Sequence, residues 1–485
     1  MRRLLLPTLL FFPALLAAQP LQENVYQQIQ IPALKGALWG GLAAYADAPN
    51  QELFAIEADT RLTPASTLKL LTTAAALELL GPNYRFETKL YAQTSAENGI
   101  LKGNLFVRGG GDPTLGSTRT TGGETYKTVL QKWVQSLKAA GITHIEGNIV
   151  ADVSLFEGPS IPPKVNWANI GNYFAAPASP LCFNDNLFLI HFESQPRANQ
   201  RVAVKSIEPQ VENLTLESFV TTDGKTKQDD AYVYGGPDQY NLQIFGTIPT
   251  SLAGFTIKGA LPSPALFTVQ SLKKTLEENG ITVTGKAELL FNEPDYTTMQ
   301  LLHTYKSPLL KDIVLVVNKR SFNLYAEMLL RALAVHKGQK GSVENGLTVL
   351  QQFLKQHKIA TEKEAVIYDG SGLSRDNLVS PRVLVNTLNF MAKSPHFEHY
   401  YKSLATPDDR GDLLLLRHFL KPLKKIDEVR LKGGTIDNTK ALAGYVHDQN
   451  GRLISFVFMA NNLAGKDEQL FRVHENLIKT LLNAE

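Results

Sequence analysis

Ser66 and Lys69 are the first residues in this sequence whose types and spacing could do chemistry. The surrounding pattern predicts a helix, because Pro64 suits a first turn and Gly81 is typical of a helix end. Residues three apart at the start of a helix share one face. Apolar residues fall on every face of this helix, so it is expected to be buried, and burial lowers the pKa of a lysine. A neutral amine can remove the proton of a neighbouring serine, which predicts a serine nucleophile.

A second Ser-x-x-Lys spacing occurs at Ser271 and Lys274. There a further lysine and two following glutamates favour a solvated helix face. The spacing alone is therefore weak evidence. Ser66 is distinguished by its apolar setting and by two fragments that follow downstream.

Ser321 and Asn323 form the first downstream fragment, at the break between two predicted helices. Taken alone, either residue would cap the second helix, as such residues often do. Beside Ser66 and Lys69, a second hydroxyl could also take part in proton transfer. Ser321 can relay a proton to the amine that leaves when a peptide bond is cleaved.

Lys432 begins the second downstream fragment, a Lys-Gly-Gly-Thr run at the end of a predicted strand. Taken alone, the two glycines would form a turn. Near Ser66, a second cation would keep Lys69 neutral by repulsion and would favour an anionic substrate. Glycine lets a strand come close to a substrate, and backbone N–H groups can hold an oxyanion.

The elements that must position these fragments come from both ends of the chain. The predicted terminal strands are residues 38–45, 52–56, 429–432, 441–447 and 453–461. The predicted terminal helices are residues 64–82, 307–318, 324–336, 343–357, 381–392 and 466–482. A sheet of terminal strands with helices on it would be a two-layer arrangement.

Between residues 86 and 300 the sequence is rich in short strand patterns, with helices predicted at 126–140 and 269–279 and a polar loop at 221–230. We therefore predict an α/β (α+β) fold in which one domain, formed by both chain ends, carries an inserted β-rich block. The predicted boundaries are 1–18 for a signal peptide, 19–85 with 301–485 for the catalytic domain, 86–160 with 251–300 for domain II and 161–250 for a nested domain III.

Composition excludes some classes of function. The 49 Lys and Arg residues against 46 Asp and Glu leave a net charge of +3, without a basic run interleaved with aromatics, so no nucleic-acid partner is expected. Cys182 is the one cysteine, so neither an internal disulfide nor a cysteine-based metal cluster can form. We interpret Cys182 as a small buried hydrophobe.

The N-terminus resembles a secretory signal peptide. A short positive start precedes an apolar run from Leu4 to Leu16, which Pro7 and Pro13 interrupt. An exported protein, periplasmic or in the cell envelope, is therefore expected. A short N-terminal anchor is the alternative.

In chain order, the three fragments are the Ser-x-x-Lys, Ser-x-Asn and Lys-Thr-Gly set of the penicilloyl serine transferases. The separation between Ser66 and Ser321 far exceeds that in class A β-lactamases and accommodates the β-rich block. The chain resembles the class C low-molecular-mass penicillin-binding proteins, of the penicillin-binding protein 4 type. The further segments that resemble this family are residues 109–115, 176–181, 323–329, 369–375 and 441–446.

The resemblance implies a β-lactamase/transpeptidase-like domain with D-alanyl-D-alanine carboxypeptidase and endopeptidase activity on peptidoglycan. It implies that Ser66 attacks a D-alanine carbonyl to form an acyl-enzyme, which water then hydrolyses. Lys69 would be the general base, and Ser321 with Asn323 would handle the proton and the substrate amide.

The same resemblance assigns substrate binding to the third fragment. Lys432 and Thr435 would hold the substrate carboxylate, Gly434 would line the site, and the N–H groups of Ser66 and Thr435 would form the oxyanion hole. The expected partners are peptidoglycan peptides, with β-lactams as acylating inhibitors. No cofactor or metal is required. Peripheral membrane association and a homodimer stay open.

Two departures from the family pattern concern the site. The family usually has Thr or Ser where this chain has Gly433, and that hydroxyl helps to bind the terminal carboxylate, so weaker affinity for D-Ala ends or β-lactams is expected. Gly411-Asp412-Leu413 also stands where the family tends to show Gly-Thr-Leu.

Gly433 keeps open a second function, a cell-wall binding or scaffold protein of the same fold with a weakened site. Covalent acylation of Ser66 would discriminate between the two. A β-lactamase is disfavoured by the long insert and by the lack of an obvious deacylating carboxylate motif. His474 and Glu475 are expected on a solvated face of the last helix.

Overall fold

The computed structural model describes residues 14–193, 195–410, 413–464 and 468–484. Most of the predicted signal peptide (residues 1–13), the departure at residues 411–412 and the predicted start of the last helix at residue 466 lie outside this part of the chain. None of the helices within it is both long enough and apolar enough to cross a membrane.

The described helices are α1 (Ala14–Gln28), α2 (Lys69–Leu80), α3 (Tyr126–Ala139), α4 (Pro264–Glu278), α5 (Leu310–Lys319), α6 (Asn323–His336), α7 (Val343–Gln356), α8 (Pro381–Ala392), α9 (Phe397–Ser403), α10 (Leu414–Leu420) and α11 (Glu468–Leu482). The described strands are β1 (Leu38–Tyr45), β2 (Glu52–Ile56), β3 (Glu87–Ala92), β4 (Ile100–Leu101), β5 (Leu105–Arg108), β6 (His144–Ile145), β7 (Ile149–Asp152), β8 (Leu187–Phe192), β9 (Val204–Glu208), β10 (Thr215–Ser218), β11 (Thr221–Asp223), β12 (Asp230–Tyr234), β13 (Asn241–Pro249), β14 (Thr256–Ala260), β15 (Thr282–Val283), β16 (Ala287–Leu290), β17 (Gln300–Lys306), β18 (Ala365–Val366), β19 (Leu378–Val379), β20 (Val429–Ile436), β21 (Thr439–His447) and β22 (Leu453–Asn461).

One five-stranded antiparallel sheet joins the two ends of the chain. Its order is β2-β1-β22-β21-β20, so β1 lies between its hairpin partner β2 and the last strand, β22. Strands β21 and β22 form an antiparallel hairpin, with Gly451 in its turn at a φ of +77°. The α/β fold with a sheet drawn from both chain ends is confirmed.

Helices cover both faces of this sheet, so the two-layer expectation was wrong. On β1, Leu42 and Ala44 pack into a core with α2 and the helices around it, whereas Ala43 and Tyr45 face a second core. The second core is shared with α1, α10 and α11. Successive strand residues point to opposite faces, and both faces are buried, so these strands are apolar at nearly every position.

Helix α2 lies at the centre of the first core and packs against α5, α6, α7, α8 and α9. Every residue from Lys69 to Leu77 is buried, as the apolar pattern predicted. The helix ends at Gly81, whose φ of +83° is a conformation that favours glycine, and whose N–H donates to Leu77 O at 3.1 Å.

The middle of the chain forms its own sheets. A mixed sheet runs β16-β7-β5-β3-β17, and three smaller sheets are built from β15-β6-β4, from β14-β8-β9 and from β10, β11, β12 and β13. Helices α3 and α4 pack on one another within a core whose residues extend from Leu90 to Tyr305. The strand-rich character of this block agrees with the prediction.

Three local expectations were wrong. Thr221–Asp223 is a strand paired with β13 and not part of a loop. Hydrogen bonds to β13 hold this polar segment in the sheet, and its own residue types do not indicate such a partner. Helix α4 begins earlier than predicted, at Pro264. His474 and Glu475 are each only 2% exposed. The His474 ring accepts a hydrogen bond from Trp39 Nε1, and Glu475 accepts one from Leu416 N, so both polar groups are satisfied inside the second core.

Candidate active site

Ser66 lies in a tight turn that leads into α2. Residues Ala65–Leu68 form a 3-10 helix, which continues as α2 from Lys69. Ala65 has a φ of +46°, a left-handed conformation rarely adopted by residues other than glycine. Gly372 packs against the Ala65 carbonyl so closely that a Cβ there would overlap it. The turn leaves Ser66 only half-buried at the start of a fully buried helix.

Lys69 is completely buried, and its ammonium nitrogen contacts three groups. Nζ lies 2.9 Å from Ser66 Oγ, 2.6 Å from Asn323 Oδ1 and 2.6 Å from the Ser371 carbonyl oxygen. The serine–lysine pair predicted from spacing is therefore in direct contact. The Ser371 contact was not predicted, because a backbone acceptor leaves no signature in side-chain types.

Burial lowers the pKa of Lys69 to about 7. The carboxylates of Asp369 and Glu327 act in the opposite direction and raise it. From the sequence, burial and repulsion from Lys432 were both expected to keep Lys69 neutral. Burial is the main cause, as expected, and the repulsion between the two lysines acts to lower the pKa of Lys432.

The two carboxylates near Lys69 were also missed by sequence reasoning. Asp369 is fully buried and accepts hydrogen bonds from Gly372 N at 2.7 Å and Ser374 N at 2.6 Å. Glu327 accepts from Gly370 N. Burial raises the pKa of both carboxyl groups, that of Glu327 to about 7. The only sequence signal was the resemblance at residues 323–329 and 369–375, which named no role for either carboxylate.

Ser321 and Asn323 stand at the break between α5 and α6, as predicted. Ser321 has a φ of +55°, which turns the chain sharply between the two helices. The amide of Asn323 is fixed from both sides, because Oδ1 accepts from Lys69 while Nδ2 donates to Phe174 O at 2.7 Å. Phe174 belongs to the strand-rich block, so that block reaches the site.

Lys432 lies on β20, the edge strand of the terminal sheet, and is 1% exposed. Its Nζ is 2.9 Å from Ser321 Oγ and 2.7 Å from Gly433 O. Burial holds the pKa of Lys432 well below its usual range, and the charges of Lys69 and Arg410 lower it further. Two buried lysines each touch one serine hydroxyl of the site.

Gly434 lets β20 approach the nucleophile. A Cβ at this position would come within 2.8 Å of Pro64 O and 2.9 Å of Ser66 N, closer than real Cβ atoms come. Thr435 follows at an exposed position on β20, and its hydroxyl accepts a hydrogen bond from Lys440 Nζ at 2.9 Å. All seven predicted site residues therefore lie along one short stretch of the sheet edge and the adjoining helix ends.

Within the described residues, no group of three or more His, Cys, Asp or Glu side chains could hold a metal ion. Ser271 and Lys274, the other Ser-x-x-Lys pair, lie on α4, where Lys274 is exposed. Cys182 is fully buried, as expected, and burial raises the pKa of its thiol to about 12.

A buried lysine against a serine hydroxyl, with a second serine and lysine beside an edge strand, defines the class of active-site-serine acyl-transfer enzymes. The comparisons with known proteins agree. The chain belongs to the D-Ala-D-Ala carboxypeptidase 3 (S13) family, which it matches over residues 21–480.

Curated relatives match along most of their length. The chain is 26% identical over 460 residues to a D-alanyl-D-alanine carboxypeptidase of Actinomadura sp., covering 92% of this chain and 81% of that protein. It is 27% identical over 428 residues to the D-alanyl-D-alanine carboxypeptidase DacB of Haemophilus influenzae, covering 86% and 84%. The crystal structure of penicillin binding protein 4 from Haemophilus influenzae matches with a TM-score of 0.81 at 25% identity, covering 95% of this chain and 99% of that one. The resemblance inferred from the sequence is confirmed.

Proposed function

We propose that this protein is a serine-type D-alanyl-D-alanine carboxypeptidase and endopeptidase that cleaves peptidoglycan stem peptides and cross-links through an acyl-enzyme at Ser66. The hydrogen bonds of Lys69 carry the proposal. A neutral amine has two N–H bonds and one lone pair. Asn323 Oδ1 and Ser371 O are acceptors, since the Asn323 amide donates through Nδ2 to Phe174 O, so they use both N–H bonds. The lone pair is left for the Ser66 hydroxyl, 2.9 Å away.

In the first step, Ser66 Oγ forms a bond to the D-alanine carbonyl carbon while its proton passes to Lys69. The C–N bond then breaks, and the proton that Lys69 accepted passes to the departing amine by way of Ser321, which Lys432 contacts. The backbone N–H groups of Ser66 and Thr435 hold the oxyanion, and the close approach of Gly434 to Ser66 N supports that placement. Water hydrolyses the acyl-enzyme in the second step.

The third fragment supplies the attraction for the anionic end of the substrate. Lys432 and Thr435 both lie on β20, and Lys440 Nζ donates a hydrogen bond to the Thr435 hydroxyl. We assign the substrate carboxylate to this cationic strand end and the substrate amide to Asn323.

Two broader assignments belong to the same proposal. The apolar N-terminal run and the family membership support an enzyme of the cell envelope that acts after export. The core of the strand-rich block, which is distinct from the two cores of the terminal sheet, supports an inserted block between residues 86 and 300. Its division into residues 86–160 with 251–300 and the nested residues 161–250 stays a prediction.

The proposal is tested by mass spectrometry of the purified protein after incubation with penicillin. We expect a covalent adduct on the peptide that contains Ser66. Ser66→Ala should lose the adduct and all release of D-alanine from pentapeptides while keeping its fold by circular dichroism. Ser271→Ala changes the serine of the other Ser-x-x-Lys pair and is the matched control, which should be acylated like the wild type.

The two activities are then separated by digestion of cross-linked muropeptides. Release of monomers by the wild type but not by Ser66→Ala would support the endopeptidase. A wild-type protein that forms no adduct and turns over neither penicillin nor peptide would overturn the proposal in favour of the scaffold function.

A further inference from the structure

The space that a side chain at position 433 would occupy is filled by an arginine. A Cβ built on Gly433 would overlap the guanidinium of Arg410, and the atoms it meets first are Nη1, Cζ and Nη2. Among the residues that the structure describes, no other side chain comes as near to that point. The departure at Gly433 is therefore accompanied by a cationic group at the same place on β20.

The chain segment before Arg410 is held against strand β20 by backbone hydrogen bonds. Ala405 and Leu431 exchange two backbone hydrogen bonds, each of 2.9 Å, so the segment runs beside the start of β20. The short 3-10 helix Pro407–Asp409 follows, and Lys319 at the end of α5 forms an ion pair with Asp409 at 3.1 Å. These contacts deliver the Arg410 side chain to Gly433.

The charge of Arg410 affects the pKa of Lys432 in the site. It is one of the causes that lower the pKa of Lys432, after burial and the charge of Lys69. Arg410 is half-buried, so part of its side chain is open to the solvent from which a substrate arrives. A fixed cation there changes what the strand end can bind.

A guanidinium is well suited to the task that the absent hydroxyl would perform. Its planar set of five N–H donors matches a carboxylate in a two-point contact, whereas a threonine offers one donor. The pairing is also charge-assisted, which makes it stronger than a neutral hydrogen bond.

We propose that Arg410 binds the carboxylate on the leaving-group side of the scissile amide and thereby replaces the hydroxyl that Gly433 lacks. The inference rests on the proposed function, because it assigns a specificity residue to the same site. It also means that Gly433 is not a sign of a disabled enzyme. The small residue at 433 is what allows the arginine to reach the substrate.

The test compares two peptides that differ only in their terminal group, one ending in D-Ala-D-Ala carboxylate and the other in the carboxamide. We expect Arg410→Ala to weaken the preference for the carboxylate about 10- to 100-fold, mainly through KM. Turnover of the carboxamide should fall much less than turnover of the carboxylate, and Arg410→Lys should keep part of the preference. Arg472→Ala, which removes an exposed arginine of α11, is the matched control. An equal loss on both peptides would show that Arg410 only fills space and would overturn the inference.

A double variant adds a second readout. Gly433→Thr alone should drive the guanidinium away and reduce the preference for the carboxylate. Gly433→Thr combined with Arg410→Ala restores the usual family arrangement, and we expect it to recover most of the preference lost in Arg410→Ala. If the losses of carboxylate preference in the two single variants add up in the double variant, Arg410 does not replace the hydroxyl of a threonine at position 433.

Binding of the same two peptides to Ser66→Ala, measured by calorimetry, separates this inference from the proposed function. If the wild type has no turnover but Arg410→Ala abolishes the preference for binding the carboxylate peptide, only the catalytic proposal is refuted. Turnover by a wild type whose preference is indifferent to Arg410→Ala would refute only the role of Arg410.

Discussion

Acylation of Ser66 should depend steeply on pH, because Lys69 must be neutral to accept the serine proton. With the pKa of Lys69 at about 7, the neutral fraction falls about tenfold for each pH unit below that value. Between about pH 8 and about pH 5, the second-order rate constant for acylation should therefore drop about 100-fold. The loss arises as pH falls, since protonation removes the base.

The assay is stopped-flow acylation by a chromogenic β-lactam across this pH range. Glu327→Gln removes a carboxylate that raises the pKa of Lys69, so the midpoint of the profile should move to lower pH. Glu344→Gln changes an exposed glutamate on α7 and should leave it in place. A flat profile, or a midpoint near the usual pKa of lysine, would refute the assignment of Lys69 as a neutral buried base. A midpoint that rises in Glu327→Gln would refute the electrostatic reasoning.

Two further predictions concern the close packing and the burial at the site. Gly434→Ala should slow acylation about 100- to 1000-fold by crowding Ser66 N, the expected oxyanion donor. Gly236→Ala, at a position where a Cβ has room, is the control and should leave the rate unchanged. Acylation at the wild-type rate in both variants would show that the close approach of Gly434 to Ser66 is not needed. Lys69→Met should change stability in a pH-dependent way: between the folded pKa of about 7 and the ordinary value of 10.5 only the unfolded chain carries the proton, so wild-type stability rises with pH. The difference in unfolding free energy between this variant and wild type should shift by about 1.4 kcal/mol per pH unit above about pH 7, in favour of the variant as pH falls. A difference that is constant with pH, in urea titrations, would mean that Lys69 stays charged in the fold.

The terminal helices and strands were predictable where local signals agree with burial. Helix α8 begins and ends where its pattern predicted, since Pro381 suits the first turn and Ser380 caps it. The β11 strand was missed because it is a short polar segment held by its pairing with β13. His474 was misjudged because a polar residue on an amphipathic helix gives no indication of a partner such as Trp39, far away in the sequence.

The side chains of the site were predictable and their surroundings were not. Ser66 and Lys69 could be identified by their residue types and spacing. The first downstream fragment adds a second serine, and the second adds another lysine. The carbonyl groups of Ser371 and Phe174 belong to the backbone, so their residue types carry no signal. The sequence shows a missing hydroxyl at Gly433, but only the fold reveals which distant side chain takes its place.

The position of β1 between β2 and β22 also bears on the order in which the molecule can be assembled. During synthesis Ser66 and its apolar helix are made before the strand-rich block, yet β22, the inner neighbour of β1 in the sheet, is made only after that block. Until β20 to β22 exist, β1 has an open edge and α2 lacks part of its cover, a condition that favours aggregation. A chain cut short before residue 429 would carry the nucleophile without Lys432 or the strand that binds the substrate. The site of this hydrolase can therefore be completed only after β20 has been made and has joined the sheet.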